Sequence, residues 1–192
     1  MYYKSVLAGV VIALGSYCYL TVGELPGALM FSLGLLVVIH LKLPLYTGKV
    51  SSFENYKPWH CLLSILTLNL SGAAAFSFLT IKNTSVVLKA ITLVTGKLDK
   101  DLYTVFADAI ICGICVSVAV KSKSEIVTIL AVATFVICKA EHCIADMYYF
   151  TSAGAFTLKA LIFFIVVIAG NTVGGLIFAL YDEKKENIIK NE

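Results

Sequence analysis

Apolar runs about as long as a bilayer crossing follow one another along this chain, separated by short polar connections. About 20 helical residues span the ~30 Å hydrocarbon core, and residues 6–22, 62–81, 105–120 and 161–181 each fit that length. The first run follows only Met1-Tyr2-Tyr3-Lys4, with no small-residue cleavage site before a soluble body, so it reads as a mature helix rather than a signal peptide. Tyr56 and Trp59 ahead of the third run suit an interfacial belt. Residues 82–101 are more polar, although Val86-Val87-Leu88 and Ile91-Thr92-Leu93-Val94 predict a short interfacial helix. The tail, 182–192, is expected to be solvated and frayed.

Two further runs are interrupted. The second begins near Leu25-Pro26-Gly27 and passes through Phe31-Ser32-Leu33-Gly34-Leu35. It then meets His40, Lys42 and Pro44 before Leu45-Tyr46-Thr47-Gly48. Proline removes a backbone donor and Gly48 permits a turn, so the pattern predicts helix, irregular loop and short second helix. The fifth follows Lys121-Ser122-Lys123-Ser124-Glu125 and carries Glu141-His142-Cys143-Ile144-Ala145-Asp146 between Ile126-Val127-Thr128-Ile129-Leu130 and Met147-Tyr148-Tyr149-Phe150. An ionisable side chain near the bilayer centre costs roughly 2.5 kcal/mol or more, so acid, imidazole and acid within one short stretch mark a permeation or proton-handling site. Irregular backbone at that depth is tolerated where protein buries it or where it lines a cavity.

The two interruptions occupy the same place in two three-helix halves, which is the pattern of an inverted repeat. The expected architecture is an all-α membrane protein of six transmembrane helices. It comprises a first repeat at 5–81, a connector at 82–103, a second repeat at 104–181 and a cytoplasmic tail, in a single integral domain. Composition agrees: 59% of the 192 residues are hydrophobic and 14% charged, with mean hydropathy +0.91, which excludes an ordinary soluble domain. Net charge is +3 and all 15 basic residues are lysine. Without arginine there is no bidentate anion clamp, and no basic stripe with interleaved aromatics suggests nucleic acid. Eight lysines (4, 49, 57, 121, 123, 184, 185, 190) against five (82, 89, 97, 100, 159) bias both termini toward the cytoplasm. The six cysteines lie in or beside apolar runs, and Cys112-Gly113-Ile114-Cys115 has CxxC spacing inside a span, where buried thiols are commoner than a redox pair. The spacing of Cys138, His142 and Cys143 matches no common zinc pattern, and neither metal nor cofactor is expected.

Phe31-Ser32-Leu33-Gly34-Leu35 with Leu45-Tyr46-Thr47-Gly48, Asn69-Leu70-Ser71-Gly72-Ala73, Glu141-His142-Cys143-Ile144-Ala145-Asp146-Met147 and Gly170-Asn171-Thr172-Val173-Gly174-Gly175 resemble, in this order, the motifs of the formate/nitrite transporter family. The resemblance implies an aquaporin-like pentameric channel for small monovalent anions of weak acids, in the plasma membrane, and no enzymatic activity. It implies that His142 is the central histidine and Glu141 the acid beside it. Lys97 would be the vestibule lysine, with Lys100 a possible substitute, and Asn171 the sixth-helix asparagine facing the histidine. Phe31, Leu35 and Phe135 would form an outer constriction, and Leu45, Tyr46, Thr47 and Cys115 an inner slit. Asn69 belongs to the third-helix contact, in a stretch of small residues suited to close helix packing. The chain departs from the family in having Cys112 in place of asparagine, Asp108 in place of glycine and Asp146 in place of the signature's asparagine; His40 and Lys42 make its loop unusually basic.

The implied mechanism is physically coherent, because a bare anion loses its hydration in an apolar constriction whereas its protonated acid crosses at modest cost. Vestibule lysine would concentrate the anion and His142 would bond or protonate it, either directly or with water as the donor. Taken singly, a histidine, an asparagine beside glycines or an aromatic at helical spacing is more often a packing residue. Glu141 is more readily structural, pairing with Lys97 or capping half-helix amides. Formate and nitrite lead as substrates, with hydrosulfide, lactate or acetate as alternatives. A thiol oxidoreductase using Cys112 and Cys115, or a non-conducting subunit of the same fold, are the competing classes.

Overall fold

A computed structural model describes residues 2–52 and 60–190, with side chains through Leu180; Tyr56 and Trp59 lie outside the described residues. The described chain is all helical: α1 (Tyr2–Val22), α2 (Glu24–His40), α3 (Tyr46–Val50), α4 (His60–Thr80), α5 (Thr84–Leu98), α6 (Leu102–Lys121), α7 (Glu125–Ile137), α8 (Cys143–Ala153) and α9 (Leu158–Lys190). α1, α4, α6 and the 158–180 stretch of α9 are long and apolar enough to cross a membrane; α2 and α7 are apolar but shorter. The interruptions expected in the second and fifth runs are the loops between α2 and α3 and between α7 and α8. The tail differs from expectation, since α9 continues as helix to Lys190 instead of ending near 181.

Both broken segments end their first helix in the same way. Leu43 N donates to Val38 O at 2.9 Å with Lys42 at φ 51°, and Ala140 N donates to Phe135 O at 2.9 Å with Lys139 at φ 54°. Each is a left-handed C-terminal cap, in the conformation that glycine most easily adopts.

The loops that follow leave backbone groups without helical partners deep in the molecule, and one asparagine serves each. Asn69 of α4 accepts from Tyr46 N at 2.8 Å and donates to Pro44 O at 3.0 Å and Ser5 O at 2.7 Å. Asn171 of α9 accepts from Cys143 N at 3.0 Å and donates to Glu141 O and Ala109 O, each at 2.8 Å. Both side chains are fully buried. Glycines let the helices bearing them close up: a Cβ on Gly72 would stand 2.1 Å from Val6 O of α1, and one on Gly174 2.3 Å from Ile110 O of α6. α4 thus seats on α1, and α9 on α6, through the same small-residue contact.

Candidate functional site

The half-helix α8 begins at His142, whose backbone is extended (φ −114°, ψ 108°) and whose Nδ1 accepts from Ala145 N at 3.2 Å. The imidazole therefore caps α8, a role more often filled by serine or aspartate. A nitrogen that accepts carries no proton, so the proton lies on Nε2, which is 3.1 Å from Thr47 Oγ1 at the start of α3. That contact joins the two broken segments. The ring of Phe135 stacks on the imidazole (5.8 Å between centroids, 15° between planes) and meets Phe31 edge-on at 5.7 Å.

His142, Phe31 and Phe135 line a cavity of about 320 Å³ that is walled also by Tyr19, Lys97, Lys100, Glu141, Asp146 and Tyr149. A second cavity, of about 310 Å³, is lined by Val38, Lys42, Leu43, Leu45, Gly48, Lys49 and Val120. The Thr47–His142 hydrogen bond links the wall of the first cavity to the segment lining the second.

Lysines line both cavities, whereas carboxylates line only the first. Lys97, 7% exposed, is ion-paired with Glu141 and lies 2.9 Å from Asp146 Oδ1. Lys100 Nζ lies 2.7 Å from Glu141 Oε1 and 2.7 Å from Asp108 Oδ2, and donates to Lys139 O at 3.1 Å. The pairing of Glu141 with Lys97 expected from the sequence is present, and Lys100 joins it instead of replacing Lys97. Lys97 is buried and Lys100 half-buried in these ion pairs, so neither is a free loop charge; Lys57 and the side chains of Lys184, Lys185 and Lys190 lie outside the described residues.

The remaining candidates divide. Leu45 lines the second cavity, and Thr47 contacts His142. Leu35 is buried but lines neither cavity, nor do Tyr46, whose hydroxyl bonds Thr172 Oγ1 at 2.8 Å, or Cys115. The amide of Asn171 binds the backbone on either side of His142, because the break leaves those groups without partners. Asn69 does the same at the other break, a role that sequence reasoning missed by reading it as helix packing. The shared Asn-x-x-Gly of Asn69-Leu70-Ser71-Gly72 and Asn171-Thr172-Val173-Gly174 was the available signal. Cys112 is fully buried within α6, while His40 is exposed and bonds Glu125 Oε1 at 3.1 Å.

Residues 1–181 match the family model described as formate/nitrite transporter. Among solved structures, one described as a pentameric formate channel with formate bound aligns with a TM-score of 0.76 and 22% identity, covering 100% of this chain and 96% of that one. Another, described as an FNT family ion channel, aligns with a TM-score of 0.78 and 20% identity, covering 93% and 86%. No curated protein sequence matches.

Proposed function

The chain belongs to the formate/nitrite transporter family, and from that premise we propose that it conducts small monovalent anions of weak acids, of the formate and nitrite kind, across the plasma membrane. The observation that carries this reading is the meeting of two half-helix N-termini, α3 and α8, through Thr47 and His142, which ties a wall residue of the first cavity to the segment lining the second. Helix N-termini bear partial positive charge, which suits an anion passing between them. The matched asparagine and glycine contacts support two inverted repeats, with α1, α2–α3 and α4 in one and α6, α7–α8 and α9 in the other, six crossings in all, and α5 as the connector. Exposed apolar side chains such as Leu29, Met30 and Leu33 on α2, and Phe78 and Leu79 on α4, suit lipid or the neighbouring subunits of a pentamer. Both termini are cytoplasmic in this reading.

An anion reaching the first cavity meets Phe31 and Phe135, an apolar step that favours its protonated form. His142 orients it there by offering Nε2–H in exchange for Thr47. Giving that proton away outright would leave an imidazolate, and acquiring a second at Nδ1 would break the cap on Ala145. The imidazole is thus a hydrogen-bond donor at the waist, and the proton comes from elsewhere.

Stopped-flow light scattering of proteoliposomes, with formate, nitrite, hydrosulfide, lactate and acetate compared at two pH values, tests the reading and ranks the substrates. Faster shrinkage or swelling than in empty liposomes is expected for at least one anion, steeper at the lower pH, with His142→Phe altering that dependence. Traces indistinguishable from empty liposomes for all five would sink it.

A further inference from the structure

Five ionisable side chains form one connected row of alternating sign: Asp108, Lys100, Glu141, Lys97 and Asp146. It runs from Asp108 and Lys100, each 22% exposed in its side chain, to Asp146 at 1%. Within the row three carboxylates face two ammonium groups, and the exposed Lys139 is a third ammonium on the wall of the cavity that, in the reading above, admits anions. The members are not equivalent. Glu141 holds both lysines, whereas Asp146 shares Lys97 with it and, beyond that ion-pair contact, neither of its oxygens has a hydrogen-bond partner. An ionised carboxylate accepts several hydrogen bonds, so a buried one with none is poorly served, and two carboxylates sharing one cation favour a proton on one of them. Asp146 lines the cavity itself, together with Tyr19 of α1 and Tyr149 of its own helix. From α5 it faces Lys97; Glu141, His142, Lys100 and Lys139 come from the loops, Asp108 and the buried Cys112 from α6, and Cys143 from α8; neither α4 nor α9 contributes to the cavity wall.

We propose that Asp146 is a proton-binding subsite for the permeating anion: its protonated carboxyl donates to an oxygen of the anion in the cavity and passes the proton to it. The inference rests on the channel reading and supplies the proton that His142 does not. In the transfer the O–H bond of Asp146 breaks and one forms on the anion. The neutral acid moves on past Phe31 and Phe135, and Asp146, again a carboxylate, regains a proton from solution through the cavity. One proton is thereby taken from solution for each anion bound.

Proton uptake is read directly by adding sodium formate to the purified full-length protein in weakly buffered detergent at about pH 6.5 and following an indicator dye, for the wild type and for Asp146→Asn. The wild type is expected to take up about one proton per chain more than the variant, and its formate flux in liposomes to fall up to about tenfold more per pH unit. Difference infrared spectra of wild type grown with isotope-labelled aspartate need no variant: formate should create or shift a protonated-carboxyl band that moves with the label. Equal proton uptake in both proteins, or no label-sensitive band on adding formate, overturns the role of Asp146. Wild-type formate flux above that of empty liposomes would then leave the channel reading standing, and its absence for every anion tested would remove that reading separately.

Discussion

Asn171→Leu removes an amide of similar size and leaves a buried break in the backbone without its partner. Of the three groups that Asn171 bonds, Ala109 O lies within α6 and has a helical partner by the geometry of the helix. Cys143 N, at the first turn of α8, and Glu141 O, in the loop, have no such alternative. Leaving a buried donor or acceptor unsatisfied costs about 1–3 kcal/mol, so two of them cost about 2–6 kcal/mol. Polar contacts within membranes often measure nearer 1 kcal/mol, since the disrupted state also finds partners, which places the expectation at about 2–4 kcal/mol. Asn69→Leu exposes the corresponding pair, Tyr46 N and Pro44 O, and should cost about as much. Thermal unfolding of detergent-solubilised protein, followed by loss of the native peak in fluorescence-detected size exclusion, measures both variants beside the wild type. At about 2–4 °C per kcal/mol for a chain of this size, shifts of roughly 5–15 °C are expected. A shift below about 2 °C in either variant would refute the view that the asparagine amides hold the breaks open.

Other substitutions separate the scaffold from its chemistry. Gly174→Ala places a methyl 2.3 Å from Ile110 O, so α9 must move off α6; the folded yield in native-state chromatography should drop sharply, and an unchanged yield would show that the contact is not close. His40→Ala breaks an exposed pair with Glu125 and should change thermal stability by less than about 1 kcal/mol, so a larger loss would mean that the pair is buried in the assembly. Thr47→Val removes the acceptor of Nε2–H and frees that donor for the anion; formate flux should persist with a changed pH profile, and wild-type behaviour would deny the contact any part in passage.

The helices and both interruptions were legible because apolar run length and proline placement are local properties, and the chain leaves α2 and α7 where polar residues enter the runs. The pairing of Lys97 with Glu141 was legible as charge complementarity. The second lysine was not, because Lys100 and Asp108 join the row only when α5 and α6 turn back over the loop before His142. The cap on α8 escaped sequence reasoning because histidine is a rare N-cap and its ring was already assigned to substrate. Asn69 and Asn171 escaped it for a different reason. What they bind is backbone, and backbone left bare by a break shows in residue types only indirectly, through the Asn-x-x-Gly that the two helices share.

The two breaks share a backbone but not a chemistry, and the difference locates function. Pro44 O and Glu141 O occupy the same position relative to their asparagines, yet one side chain is an apolar ring and the other a carboxylate holding two lysines. Leu45 and His142 both precede the half-helix whose first N–H the asparagine receives; Leu45 lines its cavity with hydrocarbon, while His142 caps and donates. A repeat that needed only to fold would have no cause to keep three carboxylates, two lysines and an imidazole on one side, where each must be paired or hydrogen-bonded to be tolerated. Asp146 is the least well served of them, since it shares Lys97 with Glu141 and its oxygens have no hydrogen-bond partner besides that ion pair. In the proposed reading, protonation belongs to the second break and its lysine-bearing connector, while the first break supplies Thr47 and a cavity lined by Leu43 and Leu45 with Lys42 and Lys49.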